Sequence, residues 1–406
     1  MSGLIRTPLK NMQALLRSFS GLLLLFVLGH FFHHLLTALP VPLLPMIRNE
    51  FGLNYTQAGL AVSAFTLSYG IGQLPAGWFT DRIGARIMLT IGLSGVAMAG
   101  FLVGLSKGHL MLTLFLALMG FLGGGYHPAA PPLISSVVPK EKRGQALGLH
   151  MVGGSASYFT APIIAAAIAA VWGWRGSFLG LAVPTALFGL AFYVLLGRRG
   201  AKDAPQRGTS APDRAEEEPE TNVTHLIFFL ILSVVLGAVF LSVVSFIPLF
   251  LVDVHQVKEE TAGALIGLIY SAGLWVGPLA GSLSDRLGRV PMIVAVSLAA
   301  GPVIVLLNLV PSGWSFYALL VVMGIIMYVR MPVSESYILG QTSSRHRSSI
   351  LGIYYFGTME GGGVLTPLLG YMIDRLGFSL SFLLTGAVLM IVALACSFWI
   401  WGSRDD

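Results

Sequence analysis

The 406-residue chain is 55% hydrophobic and only 10% charged, with a mean hydropathy of +0.81. A soluble domain carries about 25% charged residues, so this composition excludes a water-soluble globular protein and puts most of the chain in lipid. The net charge of +6 lies in short loops between apolar runs, which excludes a nucleic-acid-binding face, and the single cysteine, Cys396, excludes an intrachain disulfide.

In chain order, residues 1–20 carry Arg6, Lys10 and Arg17 and read as a cytoplasmic amphipathic lead-in. The apolar run after them is too long for the core of a cleavable signal. A spanning helix needs about 20 apolar residues. Such runs fall at 21–47, 56–79, 87–106, 109–138, 144–171 and 175–197, and again at 225–252, 260–283, 291–310, 313–339, 349–373 and 379–402. The pattern predicts an all-α membrane protein of twelve helices: one six-helix bundle over 21–197 and a second over 225–402. Residues 198–224, with the acidic run Glu216–Glu218 and several prolines, lack the apolar residues for a core and read as a cytoplasmic linker. Residues 403–406 form a cytoplasmic tail.

Lysine and arginine set the orientation. With the N-terminus inside, the inner segments hold 18 of them and the outer segments only 5, Arg48, Lys107, Arg175, Lys258 and Arg375. Arg330 is left inside a helix. Both termini are therefore expected in the cytoplasm.

The halves repeat at an offset of 204 residues. Gly77-Trp-Phe-Thr-Asp81-Arg82-Ile-Gly84 matches Gly281-Ser-Leu-Ser-Asp285-Arg286-Leu-Gly288, Met119-Gly120 matches Met323-Gly324, and Leu147-Gly148 matches Leu351-Gly352. Parallel six-helix repeats are a transporter architecture with the substrate site at their interface. The motif Gly77-x-x-x-Asp81-Arg82-x-Gly84-x-Arg86 resembles the loop between helices 2 and 3 of the major facilitator superfamily, and its second copy sits where that family carries a weaker one. The resemblance covers Gly21 to Gly402. It implies that Gly77, Asp81, Arg82, Gly84 and Arg86, with Asp285 and Arg286, latch the cytoplasmic side shut. A finer resemblance, to fosmidomycin-resistance efflux proteins, rests on Gly125-Tyr-His127-Pro128-x-Ala130, on Val152-Gly153-Gly154-Ser155 with Ala161-Pro162, and on His30–Pro45 with the downstream Glu50-Phe51-Gly52-Leu53. The Ala161-Pro162 stretch departs from the general drug-antiporter signature, in which a Gly-Pro is followed by paired glycines.

An ionisable group at the centre of a spanning helix costs roughly 2.5–3.5 kcal/mol on insertion scales and is a functional candidate by default. The candidates are His30, His33 and His34 in helix 1, His127 in helix 4, His150 in helix 5, Arg330 and Glu335 in helix 10, and Glu360 in helix 11. Helices 3, 6, 9 and 12 have none, which agrees with the lipid-facing role the resemblance gives them. Glu360, followed by three glycines, is a carboxyl that can gain or lose a proton near the midplane, and His33 is a second candidate for proton coupling. A static salt bridge to Arg330 is the alternative for Glu360. Arg330 offers a planar fork of donors for a carboxylate or phosphonate. His30, His34, His127 and Glu335 complete the candidate substrate-binding set, and His150 reads as structural.

These residues point to alternating-access transport of a small anionic or amphipathic solute by a monomer in the bacterial inner membrane. Proton-coupled efflux is the first expectation and proton-driven uptake of an organic anion the alternative. Neither enzymatic activity nor a cofactor is expected. The run His30-x-x-His33-His34 matches one histidine box of membrane desaturases, but the other six histidines are scattered singly and the run is mid-bilayer, so no metal is expected either.

Overall fold

The computed structural model describes residues 21–139, 142–198, 222–343 and 347–402. The lead-in, the tail and all of the linker except Arg198 and residues 222–224 lie outside the described residues.

The described chain is helical from end to end, as thirteen α-helices: α1 Gly21–Thr37, α2 Leu44–Phe51, α3 Tyr55–Ile83, α4 Ala85–Gly104, α5 His109–Gly123, α6 Tyr126–Val137, α7 Arg143–Arg198, α8 Val223–Asp253, α9 Glu259–Ser271, α10 Val276–Leu287, α11 Arg289–Leu306, α12 Trp314–Gln341 and α13 Arg347–Gly402. Two of them, α7 and α13, run to 56 residues each. A straight helix of that length would reach about 84 Å, far beyond the roughly 30 Å hydrocarbon core. Each is broken by one glycine outside helical torsions, Gly173 (φ 69°, ψ 174°) and Gly377 (φ 73°, ψ 171°). The positive φ suits glycine, which has no Cβ to clash. The arms of α7 fold back, since the Ser177 hydroxyl donates to the Ala165 carbonyl at 2.7 Å. Counting each arm once, and pairing α1 with α2, α5 with α6 and α9 with α10, gives twelve crossings. Exposed apolar side chains such as Leu110 (72%) and Leu309 (72%) face outward, as lipid contact requires.

Besides the splits between α5 and α6 and between α9 and α10, the expected boundaries move most in two places. Helix 1 breaks at Pro40 and Pro42 into α1 and α2. Helix 2 runs on to Ile83, so Asp81 and Arg82 occupy its last turn rather than a loop.

The 204-residue repeat is written in the backbone. Gly173 and Gly377 are one repeat apart and share their torsions. Gly84 and Gly288 end α3 and α10 at the same φ of 92°. Gly120 meets the Phe65 carbonyl and Gly324 meets the Ile269 carbonyl, and in each case a Cβ would lie 2.1 Å from that oxygen. Alanine at either position would push two helices apart.

Two cores fill the half containing α1–α7, one around Phe178 and Trp174, the other around Phe26 and Tyr126. A third, around Phe229, Phe246 and Phe382, fills the half containing α8–α13. The halves meet along two seams. On one, α3 packs on the first arm of α13: Gly59 rests on Thr366 and Pro367, Gly363 on Leu67, and Gly370 on the Tyr55 carbonyl. On the other, α9 packs on α7 and the α1–α2 turn, with Gly267 on the Phe159 carbonyl and Gly263 on the Pro42 carbonyl.

Candidate functional site

The first group of site residues comes from α1. His30, His33 and His34 are three and four apart, so they share a broad face. All three are buried. They meet His127 at the start of α6, and His150 on α7. The His30 ring stacks on His150 at 4.2 Å between centroids, and His33 stacks on Tyr126 at 4.5 Å. Two glycines make room for helix 1. Gly154 lies against the His30 ring, where a Cβ would come within 2.6 Å, and Gly153 lies against the Val27 carbonyl. The Val152–Ser155 motif is thus a groove that seats helix 1.

The hydrogen bonds fix each ring. His30 Nδ1 donates to the His150 carbonyl at 2.9 Å, and His150 Nδ1 donates to the Phe26 carbonyl at 3.1 Å. His33 Nε2 pairs with the Tyr69 hydroxyl at 2.9 Å, and its Nδ1 is buried without a partner. His34 Nδ1 pairs with Thr37 Oγ1 at 3.0 Å, and His34 Nε2 faces His30 Nε2 at 3.1 Å. His127 is half-buried and makes no hydrogen bond among the described residues. It follows Gly123, Gly124 and Gly125, which pack on Tyr69 and Met88. Pro128 lacks the N–H that would bond the Gly124 carbonyl, and the helix breaks there between α5 and α6. His150, expected to be structural, is the ring against which His30 stacks. His34 packs on Tyr158 at 4.5 Å and Tyr158 on Tyr270 at 5.1 Å, so an aromatic path leads from the histidines across the seam.

The second group lies in the other half. The Arg330 guanidinium donates to the Tyr354 hydroxyl at 2.6 Å and to the Ser233 carbonyl at 3.4 Å. It lines a cavity of about 80 Å³ with Gly237, Phe240, Met327, Thr358 and Met359. A side chain at Gly237 would collide with the guanidinium. The alternative of a static salt bridge is not met: Arg330 forms no ion pair with Glu335 or Glu360. Helix α12 continues through Pro332, so Glu335 stays on another side of it, half-buried and beside Tyr355. Glu360 points at the opposite half instead. Its Oε1 lies where a Cβ on Gly70 would stand, and it is buried without a hydrogen bond.

Glu360 also marks where the seam ends. Glu360 is 14 residues from Asp374 on the same arm, about 21 Å along the helix, near the middle of the span. Between them the halves are in contact. Beyond Glu360, towards Asp81, they part. Gly77, Gly277, Gly281 and Gly352 have nothing within 4 Å of a Cβ position. At that end helices α6 and α10 also pack on helices of their own half rather than on each other, so the halves part into a cleft at the Asp81 end, and Glu360 lies where their contact stops.

The opposite end is closed by polar contacts between the halves, none of them anticipated from sequence. Arg48 on α2 pairs with Asp253 on α8, which also accepts from the Tyr55 hydroxyl at 2.7 Å. Asn49 donates to Glu259. Asp374 on α13 accepts the backbone N–H groups of Tyr55 and Thr56 at 2.9 and 2.8 Å. An acid from one half thus caps the first turn of α3 in the other, where unpaired N–H groups and the helix dipole favour a carboxylate. Within one half, Glu50 holds Trp174 and Arg175. Partial burial alone pushes the Glu50 carboxyl up, but the bonds from Arg175 and Trp174 outweigh it and hold the group below the usual carboxylate range.

Asp81 and Arg82, which the resemblance makes a latch, are not joined to the other half. Asp81 makes no ion pair or hydrogen bond among the described residues, and Arg82 lies over the Trp78 ring at 3.4 Å. Arg86 donates to the Tyr193 carbonyl at 3.0 Å. In the second copy, Arg289 donates to the Ser336 carbonyl at 3.0 Å and lies 3.7 Å from Asp285. The basic residues bind within their own half, and the contact that the resemblance assigns to Asp81 is not made in this conformation.

The family model described as Major Facilitator Superfamily matches residues 26–307 and 259–406. The chain is 25% identical to the multidrug resistance protein MdtG of Dickeya zeae over 381 residues, covering 90% of this chain and 91% of the relative. It is 24% identical to the probable sulfoacetate transporter SauU of Cupriavidus necator over 385 residues, 87% of each chain. Its fold is similar to a crystal structure of a bacterial homologue of the human lysosomal transporter Spinster, in an inward-facing and occupied conformation. There the TM-score is 0.74 at 18% identity, over 95% of this chain and 96% of the other.

Proposed function

The chain belongs to the major facilitator superfamily and is a membrane transporter, and from that premise we propose that it exports a small anionic or amphipathic organic solute in exchange for protons. The bundles at 21–197 and 225–402 rock against each other around the seams. The 18-to-5 excess of basic residues supports a cytoplasmic position in a bacterial cell for the Asp81 end, both termini and the linker. The described conformation is then open to the cytoplasm and closed to the outside.

The observation that carries the proposal is Glu360 at the apex of the cleft, its buried oxygen without a partner. An ionised carboxylate is costly to bury unpaired. The seam therefore closes on Glu360 when a proton neutralises it, and the proton leaves when the seam opens and water reaches it. Arg330, tied only to neutral groups, has donors to spare for a carboxylate, sulfonate or phosphonate. His127 and Glu335 complete the proposed substrate-binding set, and His33, bonded to Tyr69 on the seam helix α3, is the second proton carrier. When the halves tilt the other way, Asp81 and Arg82 engage the neighbouring helix end and latch the cytoplasmic side.

Export is favoured by the name of the MdtG relative and an anionic solute by that of SauU. Because the same cavity and acid serve either direction, proton-driven uptake of an organic anion is the second reading, and SauU favours it equally. The test is flux in proteoliposomes under an imposed pH gradient, with sulfonates, phosphonates and carboxylates chosen by a thermal-shift screen. Exchange for protons predicts substrate movement opposite to the proton flow. Movement with the proton flow selects uptake, and gradient-independent movement removes the coupling.

A further inference from the structure

His30 and His34 have no part in the transport step proposed above, and together with His127 they bring three ring nitrogens to one place. We propose that His30, His34 and His127 form a three-imidazole site for a divalent first-row transition-metal ion such as Zn²⁺ or Co²⁺. The proposal stands on ring geometry and is independent of the transport reading.

The argument starts from which nitrogens are already used. His30 Nδ1 is held by a carbonyl, which only accepts, so that nitrogen carries the proton. Neutral His30 therefore presents a bare lone pair at Nε2. His34 has its Nδ1 on Thr37 Oγ1, and that hydroxyl donates to the His33 carbonyl at 3.2 Å, so it accepts from His34 Nδ1. In that tautomer, the one a bound cation selects, both rings aim bare Nε2 lone pairs into the space between them, where the two nitrogens stand 3.1 Å apart. Metal-binding histidines have this arrangement: Nδ1–H fixed by a protein oxygen, Nε2 left to the metal. A Zn–N distance of 2.0–2.1 Å fits between nitrogens 3.1 Å apart at an N–metal–N angle of about 98°, close to tetrahedral.

His127 supplies the third ligand. One nitrogen from each of His30, His34 and His127 lies within 4.8 Å of the other two. Ligand nitrogens in a tetrahedral zinc site are about 3.4 Å apart, so His127 has to close by roughly 1–1.5 Å. It is free to do so, because its ring makes no hydrogen bond among the described residues and its helix starts at the break after Gly124–Gly125. The fourth position is left open. Three neutral imidazoles leave two positive charges uncompensated in apolar surroundings, so that position takes a small anion such as hydroxide or a carboxylate. His33 and His150 lie outside the site, because the nitrogens that converge are those of His30, His34 and His127. Without metal, the Thr37 hydroxyl turns to His34 Nδ1 and His34 Nε2–H donates to His30 Nε2, so the protein folds without it. The site is thus a single three-ligand centre, unlike the several boxes of a diiron enzyme, and it revises the expectation that no metal binds here.

The test is titration of the tag-free, detergent-purified full chain with Co²⁺, followed by visible d–d absorption and equilibrium dialysis. The expected result is one Co²⁺ per chain, displaced by Zn²⁺, with the bands shifting when acetate is added. His127→Gln, whose loss breaks no hydrogen bond, should weaken binding at least 100-fold, and His30→Gln and His34→Gln should do the same. His33→Gln and His150→Gln should bind within about threefold of the parent. Absence of stoichiometric Co²⁺ in the parent would overturn the proposal and leave the pair bridged by a proton. Binding that survives His127→Gln, or that falls equally in His33→Gln, would overturn it too.

Discussion

Arg48 and Asp253 stand 205 positions apart and form an ion pair at 2.5 Å that joins the two halves at the end away from Asp81. Both side chains are mostly buried, at 20% and 26% exposure, and the Arg48 guanidinium also lies over the Tyr55 ring at 4.4 Å. Breaking the pair removes a contact made only when this end is closed. Asp253→Asn should therefore shift the population away from the open cleft by about 1 kcal/mol, about fivefold. Labelling of a cysteine at Ser135, in a Cys396→Ala background, should fall accordingly, and the swap Arg48→Asp with Asp253→Arg should restore it. Asp81→Asn should raise the same labelling, because it removes the proposed latch on the other state. Unchanged labelling in Asp253→Asn would reduce the ion pair to a surface contact.

Arg330 holds its donors on Tyr354 and Ser233 rather than on an acid. Arg330→Lys keeps the charge but loses the planar fork. Substrate affinity should fall about tenfold or more, the loss of one charge-assisted hydrogen bond of about 1.5–3 kcal/mol. Tyr354→Phe should have a smaller effect, since it frees a donor rather than removing one. Isothermal binding measurements decide it; normal affinity in Arg330→Lys would exclude an anion held at that position.

Glu50 tests the electrostatics of the closed end. Its carboxyl is held below the usual range in the folded protein by Arg175 and Trp174, against the upward push of partial burial. A depressed group stabilises the fold above its unfolded value, near 4.3, and loses that contribution as pH falls through the folded value. Glu50→Gln should thus lower the melting temperature between pH 5 and 8, and the gap to the parent should narrow as pH drops below about 4. A gap that is the same at both pH values would mean that packing, not charge, explains the loss.

What could be read beforehand was local or periodic. The offset of 204 follows from matched motifs, and it reappears as equal torsions at Gly84 and Gly288 and at Gly173 and Gly377. The shared face of His30, His33 and His34 follows from helical spacing. What could not be read depends on how the halves sit against each other. Asp253 and Asp374 look like ordinary charges at a membrane edge until α3 and α8 bring Tyr55 beside both. Asp81 looks engaged because the motif resembles a latch, yet in this conformation it makes no ion pair or hydrogen bond among the described residues. Glu360 was legible as a candidate, but its neighbour Gly70 was one small residue among many. A static salt bridge to Glu360 was the alternative reading for Arg330, whereas Tyr354 on the next helix meets it without an acid.

The central claim is that Glu360 carries the proton that couples the gradient to transport. Glu360→Gln places a permanently neutral group of the same shape against Gly70. The deciding measurement is flux in proteoliposomes with this variant, once under a pH gradient and once as substrate exchange without one. The account predicts that gradient-driven flux is abolished while exchange continues at a rate within about threefold of the parent. Accumulation or extrusion of substrate against its gradient by Glu360→Gln would contradict it.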